Sequence, residues 1–490
     1  MIAPAKPRNR LLGANGKPMP SPRPEKSDHI QRRPIHARYD AAQSGGEMVN
    51  YWASADALSA DSANSQGVRA KLVQRSRYEV ANNGFTAGIV TTHANYIVGT
   101  GPNLRLQTKS KEFNRMVELT WLRWSKAVLL RRKLWTLCHA KVTDGEGFAI
   151  VSNNPRNRHE VKLDLKLIET EQCHTPYLPI WTPNYIDGIQ FDEFGNPESY
   201  DILPYHPGGP WGPGMTTLVP DRIPAEFVLH WFHQRRPGQH RGTPELTSTL
   251  NVGANCRRWR EATIRAAEVA ARITGALETN FPPNEDDAQL SPMAEFEIPA
   301  GMFVAMPVGN KLSQMRAEHP NAAYEVFLRS QIAEQARPLC QPINVAQGDS
   351  SNYSYASGKL DTLTYNLAAD VAREDANDTV MEPLFRLWYR EAELVFGWTA
   401  QGTQAEPPHV WDWPPYPIAD AEAQARADDS RLKNGTETLS GVYSKSGRDF
   451  EDIVVDMAAD YGITEDEMRE RLLTAIFTAG QPAQPTGAAA

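Results

Sequence analysis

The stretch TPELTSTLNVGANCRRWREATIRAAEVAARITGALE, running from Thr243 to Glu278, decides how this chain is read. Its start carries helix-opening chemistry: Thr243 suits the N-cap, Pro244 the first helical position, and Glu245 the positive end of the helix dipole. With almost no breaker except Gly253, the run predicts one helix from Thr243 to about Glu278. At ~1.5 Å per residue that is a rod of roughly 50 Å, long for a globular helix. Trp259, Ala262, Ala266, Val269 or Ala270, Ile273 and Leu277 follow three-and-four spacing and make one apolar, alanine-rich stripe. Arginines and glutamates cover the other faces. A rod of this length needs more burial than one chain supplies, so the pattern points to a shaft built from many copies. A long surface helix of a large α/β protein is the plainer alternative.

The chain has 490 residues, enough for two to four domains or one elaborate subunit. Apolar content of 41% and charge of 22% are those of a folded protein. No apolar run approaches the ~20 residues of a membrane span, and the mean hydropathy of -0.51 agrees. The Pro- and Arg-rich amino terminus lacks an apolar core, so no secretory signal is expected there. Cys138, Cys173, Cys256 and Cys340 are scattered without paired spacing, which predicts neither a disulfide framework nor a zinc site. Residues 1–38 hold nine Lys/Arg against Glu25 and Asp28, a balance of +7. The whole chain carries -8, so residues 39–490 carry -15. A body that acidic is a poor DNA binder, because phosphate attraction needs clustered cations.

Residues 1–48 read as a flexible basic arm. Helical patterns follow over Gly67–Val98 and Lys111 to about Ser125, and from Cys138 the period shifts toward two. Strands are expected at Phe148–Val151, Val161–Leu165, Lys166–Ile168 and Phe227–Phe232. Asp187–Asp192 and Glu198–Ile202 form a hairpin around Glu193-Phe194-Gly195-Asn196-Pro197. Proline-rich Phe281–Pro320 suggests a small β-containing insertion. A helix resumes at Ala322 and ends near Pro338; after the loop at 347–354 another runs to about Phe396, with Leu360, Leu363, Leu367 and Val371 in phase. Pro383 is expected to kink or split it. The crossing Pro407–Pro417, bearing Trp411 and Trp413, is expected to pin a C-terminal helical part to the body by aromatic packing, or else to bind a partner. The fold class is α+β.

This order of parts resembles the lambda-type portal proteins of tailed bacteriophages. The likeness rests on Arg75-Ser76-Arg77 with Asn82-Asn83 and Val98-Gly99-Thr100-Gly101, then on Asp187-Gly188-Ile189, Phe194-Gly195-Asn196-Pro197 and Tyr200. It continues in Arg236-Pro237-Gly238-Gln239, Arg241-Gly242-Thr243-Pro244 and Gly348-Asp349-Ser350-Ser351-Asn352-Tyr353-Ser354. The resemblance implies a portal-protein fold: wing at 49–242, stem helix 1 at 243–280, clip at 281–321 and stem helix 2 at 322–341. It further implies a tunnel loop at 342–354, a kinked wing helix and crossing at 355–414, a crown at 415–479 and a flexible tail at 480–490. The chain departs at Ser354-Tyr355-Ala356-Ser357-Gly358-Lys359, which lacks the arginine expected just after the tyrosine-serine pair.

The same resemblance implies a ring of usually twelve copies at one capsid vertex, in a virion assembled in the bacterial cytoplasm. Double-stranded DNA would be packaged and ejected through its channel. Its partners would be the terminase large subunit, head-completion and tail adaptor proteins, and capsid and scaffold proteins, with no membrane, cofactor, metal or catalytic residue. Gln347, Gly348, Asp349, Ser350, Ser351, Asn352 and Tyr353 become candidates for contact with DNA, against the alternative of an ordinary turn between helices. Arg235, Arg236 and Arg241, with His240 nearby, are candidates for pairing between subunits. On the long helix the same role falls to Arg257, Arg258, Trp259, Arg265, Glu268 and Arg272.

Two other functions compete. Asp144, Glu146, Glu169 and Glu171 could sit on neighbouring strands and hold Mg²⁺, as a nuclease or hydrolase of a phage cassette would need. A head–tail adaptor ring is the other, though adaptors are usually shorter. His230 with His233, Cys138-His139 and Cys173-His174 lack ligand spacing for a metal site. Neither a phosphate-binding Gly-x-x-x-x-Gly-Lys-Ser/Thr loop nor a Gly-x-Ser-x-Gly elbow occurs.

Overall fold

The structure is a computed structural model that describes residues 52–175, 184–210, 219–272, 276–279, 310–313, 323–351, 354–398, 406–416, 421–445 and 450–478. Two compact units divide the chain, Met1–Leu58 and Ser59–Ala490, and every described helix and strand belongs to the second. The arm at 1–48, the tail at 480–490, Asn352, Tyr353 and most of 281–321 lie outside the described residues.

Helices open the unit. Ser59 caps the short α1 (Ala60–Ala63) by accepting from Ser62 N–H. The helical run expected over Gly67–Val98 is two helices, α2 (Gln66–Asn82) and α3 (Gly84–Val98). Asn83 divides them: its backbone is extended, and its side chain accepts from Phe85 N–H as the cap of α3. A short polar side chain competing for nearby N–H groups is the usual way a helix restarts. After β1 (Asn103–Leu106) come α4 (Lys111–Ala127), capped by Ser110, and α5 (Leu130–Asp144).

Two antiparallel sheets follow. The first has the order β3-β2-β8, from β2 (Glu146–Asn153), β3 (Leu163–Ile168) and β8 (Val228–Phe232). The second is β4-β5-β6-β7, from Tyr185–Ile186, Ile189–Phe191, Pro197–Ile202 and Asp221–Pro224. The expected hairpin is β5–β6, closed by Asp192, whose Oδ1 accepts from the N–H groups of Phe194 at 2.8 Å and Asn196 at 2.7 Å. Gly195 supplies the positive φ of +87° that the turn requires.

The decisive stretch departs from its expected bounds. Its helix, α6, spans Leu250–Arg272, 23 residues, preceded by a 3₁₀ turn at Thr247–Thr249. At ~1.5 Å per residue it is roughly 35 Å long rather than 50 Å. Thr243 does not cap it. Residues 242–246 are held instead by tertiary contacts: Glu245 N–H donates to Val142 O at 3.0 Å, and Leu246 is buried. Beyond Arg272 the chain is already β9 (Ala276–Thr279), paired with β10 (Asn310–Ser313), where a helix was expected as far as Glu278. Then α7 (Ala323–Ala336) packs along α6, and α8 (Ile343–Gln347) follows.

The next helix splits at the proline, as expected. α9 (Tyr355–Ala376) and α10 (Glu382–Phe396) are joined by a five-residue π-helical segment, Asn377–Met381. Pro383 has no N–H, and its ring crowds the carbonyl four residues back, so the hydrogen-bond ladder slips outward there. The largest core gathers on α10, where Trp388 meets Trp121 edge-on at 5.0 Å and Phe385 at 5.9 Å.

The crossing segment joins that core. β11 (His409–Asp412) pairs with β1; Trp411 donates to Glu382 at 2.8 Å and Trp413 to Asn377 at 2.9 Å. Both tryptophans thus pack on the helical core of the body. α11 (Ala421–Lys433), α12 (Leu439–Lys445), α13 (Phe450–Tyr461) and α14 (Glu465–Thr478) complete the chain, the last two around Val454, Ala458 and Met468.

At the turn between α5 and β2, Gly145 (φ +93°) crosses the chain at Gly242. A Cβ on Gly145 would overlap the Thr243 backbone, and one on Gly242 would overlap the Gly145 carbonyl. Alanine at either position is therefore expected to destabilise the fold by at least ~2 kcal/mol, from overlap at both and from backbone strain as well at Gly145. Urea unfolding of Gly145→Ala and Gly242→Ala checks this, with Gly195→Ala as a comparison that meets open space at a positive φ.

Candidate channel and inter-subunit surfaces

The foot of α6 is built on a buried charge cluster. Glu146, the first residue of β2, is 1% exposed, and Arg241 is 2% exposed. Arg241 donates to Glu146 from Nη2 at 2.7 Å and from Nε at 3.0 Å, and Gly242 N–H donates to the same carboxylate at 2.9 Å. The Thr170 hydroxyl also reaches it, and His230 Nε2 lies 3.1 Å away. Nη1 of Arg241 donates to the carbonyls of Cys173 and Asp187, and the Asp187 side chain pairs with Arg69. Burial pushes Glu146 up, but Arg241, His230 and Arg69 together outweigh it and hold the carboxyl well below its ordinary value.

Arg241 therefore cannot serve as the inter-subunit contact expected of it, since its guanidinium is enclosed by its own chain. Beside it, His240 pairs with Asp61 at 2.8 Å, and Glu245 with Lys141 at 2.9 Å in a buried site. Near that pair His93 is buried next to Tyr365, and desolvation lowers its imidazole to about 4.

The four carboxylates proposed as a Mg²⁺ site divide between two arginines. Asp144 takes Arg77 Nε at 2.7 Å and Nη2 at 2.8 Å; Glu171 takes Nη1 at 2.9 Å, and Glu169 lies 3.2 Å away. Glu146 is committed to Arg241. A cation is thus already built into each half of the set. Asp144, Glu146 and Glu169, with Arg77, line a cavity of about 460 Å³ between α2, α5 and β3. His206 approaches Glu171 at 3.5 Å, so with Glu169 these three could together face an ion, but Arg77 already occupies their carboxylates. His230 is buried while His233 is exposed on the following loop. Burial pushes the Cys138 thiol up to about 12 and the Cys173 thiol to about 11, so neither is a thiolate at neutral pH.

The remaining candidates face outward to different degrees. Arg235 and Arg236 are exposed on a loop templated by Gln239, whose Oε1 accepts from both of their N–H groups. Arg257 is spoken for inside the chain, donating to Glu79 at 2.7 Å and lying over the Tyr78 ring. Trp259 stacks on Tyr324 at 4.9 Å and meets Phe327 at 4.5 Å, which locks α6 to α7. Arg258, Arg265 and Glu268 are exposed, and the Arg272 side chain lies outside the described residues. From Glu261 to Glu268 only Thr263 is even half-buried.

In the loop after α8, Gly348 ends the helix at φ +70°, and Asp349 Oδ1 accepts from Ser351 N–H at 2.9 Å, an interaction that lowers its carboxyl. Gly348, Asp349, Ser350 and Ser351 are exposed, Gln347 half so. The charge this turn offers is negative. One surface was missed: Leu360, Leu363, Leu367 and Val371, in phase along α9, point outward.

The family described as phage portal protein, lambda family, matches residues 46–373. A probable portal protein of Halomonas phage phiHAP-1 is 23% identical over 422 residues, covering 79% of each chain. Among solved structures, a chain from the virion of a native gene transfer agent particle is 15% identical, with a TM-score of 0.41, covering 74% of this chain and 88% of that one. A chain from the neck of the native particle, computed with C12 symmetry, is also 15% identical, with a TM-score of 0.40 and coverages of 75% and 91%.

Glu146→Gln is expected to cost ~3–5 kcal/mol at neutral pH, because it strands the buried Arg241 charge. Glu146 is depressed in the folded state, so its contribution is present above the unfolded carboxylate pKa and is lost as pH falls through the folded one. The gap between wild type and variant, measured by urea unfolding of the unassembled chain, should be full at pH 7 and narrow on acidification.

Proposed function

The chain belongs to the lambda family of phage portal proteins, structural proteins rather than enzymes, and from that premise we propose that its copies close into a ring at one capsid vertex. Double-stranded DNA enters and leaves through the central channel. α6 and α7 form the shaft, the β9–β10 hairpin belongs to the clip, and α11 to α14 make the crown. The turn at Gly348–Ser351 lies at the constriction, and the ring docks the terminase, head-completion and tail proteins. The ATP-driven work belongs to the terminase.

The observation that carries this reading is α6 itself. From Glu261 to Glu268 its apolar and charged residues alike, Thr263 apart, are open to solvent, Ile264 being 56% exposed. Neighbouring copies of the same helix are the economical cover, and a repeated head-to-tail contact that closes gives a cyclic ring. The charge balance supports passage over gripping: residues 39–490 carry -15, and the exposed turn offers Asp349. Like charge weakens phosphate binding, so a duplex can slide.

Twelve copies of a 54.6 kDa chain weigh about 655 kDa. Native mass measurement of the assembled protein, with electron micrographs, is expected to give particles near that mass with a central hole. A closed dimer that never extends would contradict the channel.

A further inference from the structure

α9 is built inside out for a helix on a lone chain. Tyr365, Ala369 and Ala376 turn inward and are buried. Its larger aliphatics, Leu360, Leu363, Leu367 and Val371, spaced i, i+3, i+7 and i+11, turn outward and are 54 to 67% exposed. A helix that is apolar on both sides is expected to be covered on both, and an ordered outward stripe of this kind marks an interaction surface. Its flanks are acidic: Asp361, Asp370 and Glu374 are exposed beside it, against Lys359.

A second uncovered face has the opposite charge. Met116, Leu119 and Leu122 on α4 are 38 to 41% exposed, and Leu129, at the turn into α5, is 57% exposed. Around them stand the exposed Arg123, Lys126, Arg131 and Arg132. The other side of α4, with Val117, Trp121 and Trp124, is fully committed to the core.

We propose that the acidic apolar face of α9 on one copy docks on the basic apolar face of α4 and the start of α5 on the next. The occupant is a second copy of this chain because each face supplies what the other lacks: an aliphatic stripe for the leucines and opposite charge at the rim. Every copy carries both faces, so the contact is head-to-tail and propagates around a ring. This rests on the ring reading above and assigns it a specific contact outside the shaft. Rim charges of opposite sign also fix register and exclude the like-with-like pairing of two α9 faces.

Two variants test it. Leu363→Glu/Leu367→Glu disables the α9 face, and Arg123→Glu/Lys126→Glu the α4 face. Each, folded by near-ultraviolet circular dichroism, is expected to stay monomeric where the wild type forms rings. Mixed in equal amounts, they retain one live face each and should give a dimer of about 109 kDa, twice 54.6 kDa, that does not extend. Rings formed by both variants would overturn these faces while leaving the ring intact, whereas a wild type that never assembles would overturn the ring reading itself. Should either variant misfold, Leu122→Cys/Leu367→Cys in the assembled wild-type background decides. A short bis-maleimide is expected to give a ladder of covalent multimers that neither single variant gives, and monomers alone would overturn the contact.

Discussion

Where Gly145 passes Gly242, two backbones meet with no room for a Cβ, and the Glu146 carboxylate closes with the Arg241 guanidinium beneath them. A buried ion pair is not by itself a source of net stability, since desolvation offsets much of its attraction. Its effect here is geometric. It ties the start of β2 to the chain entering α6, and through the carbonyls of Cys173 and Asp187 it ties both to the second sheet. Arg69 on α2 and His230 on β8 complete the enclosure. α6 therefore leaves the body in one direction, set by the sheets rather than by its own capping residues.

That direction matters because the helix is left incomplete. Near its base it is well packed: Leu250 and Cys256 are buried and Trp259 is clamped by α7. From Glu261 to Glu268 every side chain but that of Thr263 is exposed. α9 repeats the pattern with larger residues. Among the described residues, two helices thus carry apolar surface that no other described element covers. The hydrophobic gain withheld in the monomer, ~25 cal/mol per Å² of apolar surface, is then available to drive association. Copies of acidic net charge arranged in a ring would enclose a passage that repels phosphate, which suits a channel more than a clamp.

Much of this was legible from local pattern. The β5–β6 hairpin announced itself by turn chemistry, the sheet strands by alternation, and the break between α9 and α10 by Pro383. What failed did so where distant residues override local signals. Thr243-Pro244-Glu245 reads as a helix start, yet Glu245 answers to Lys141 and the helix waits until Leu250. Arg241 reads as a surface cation because its partner lies 95 positions away. Asp144, Glu169 and Glu171 read as a metal set because Arg77, their own counter-ion, comes from α2. The outward face of α9 was visible as a phase but not as a direction, since periodicity does not say which side the core takes. The stretches that carry the family likeness look unrelated along the chain. In space Asp187, Arg241 and Gly242 meet at one joint, with Arg77 pairing to Asp144 close by.

Amide hydrogen exchange along α6, compared between unassembled chain and purified assembly, tests the central claim most directly. If neighbouring copies cover the shaft, amides from Glu261 to Arg272 should exchange quickly in the lone chain and slow by orders of magnitude on assembly, while those near Leu250 change little. Equal exchange of that segment in both states would contradict the account, because the helix would then gain nothing from its neighbours.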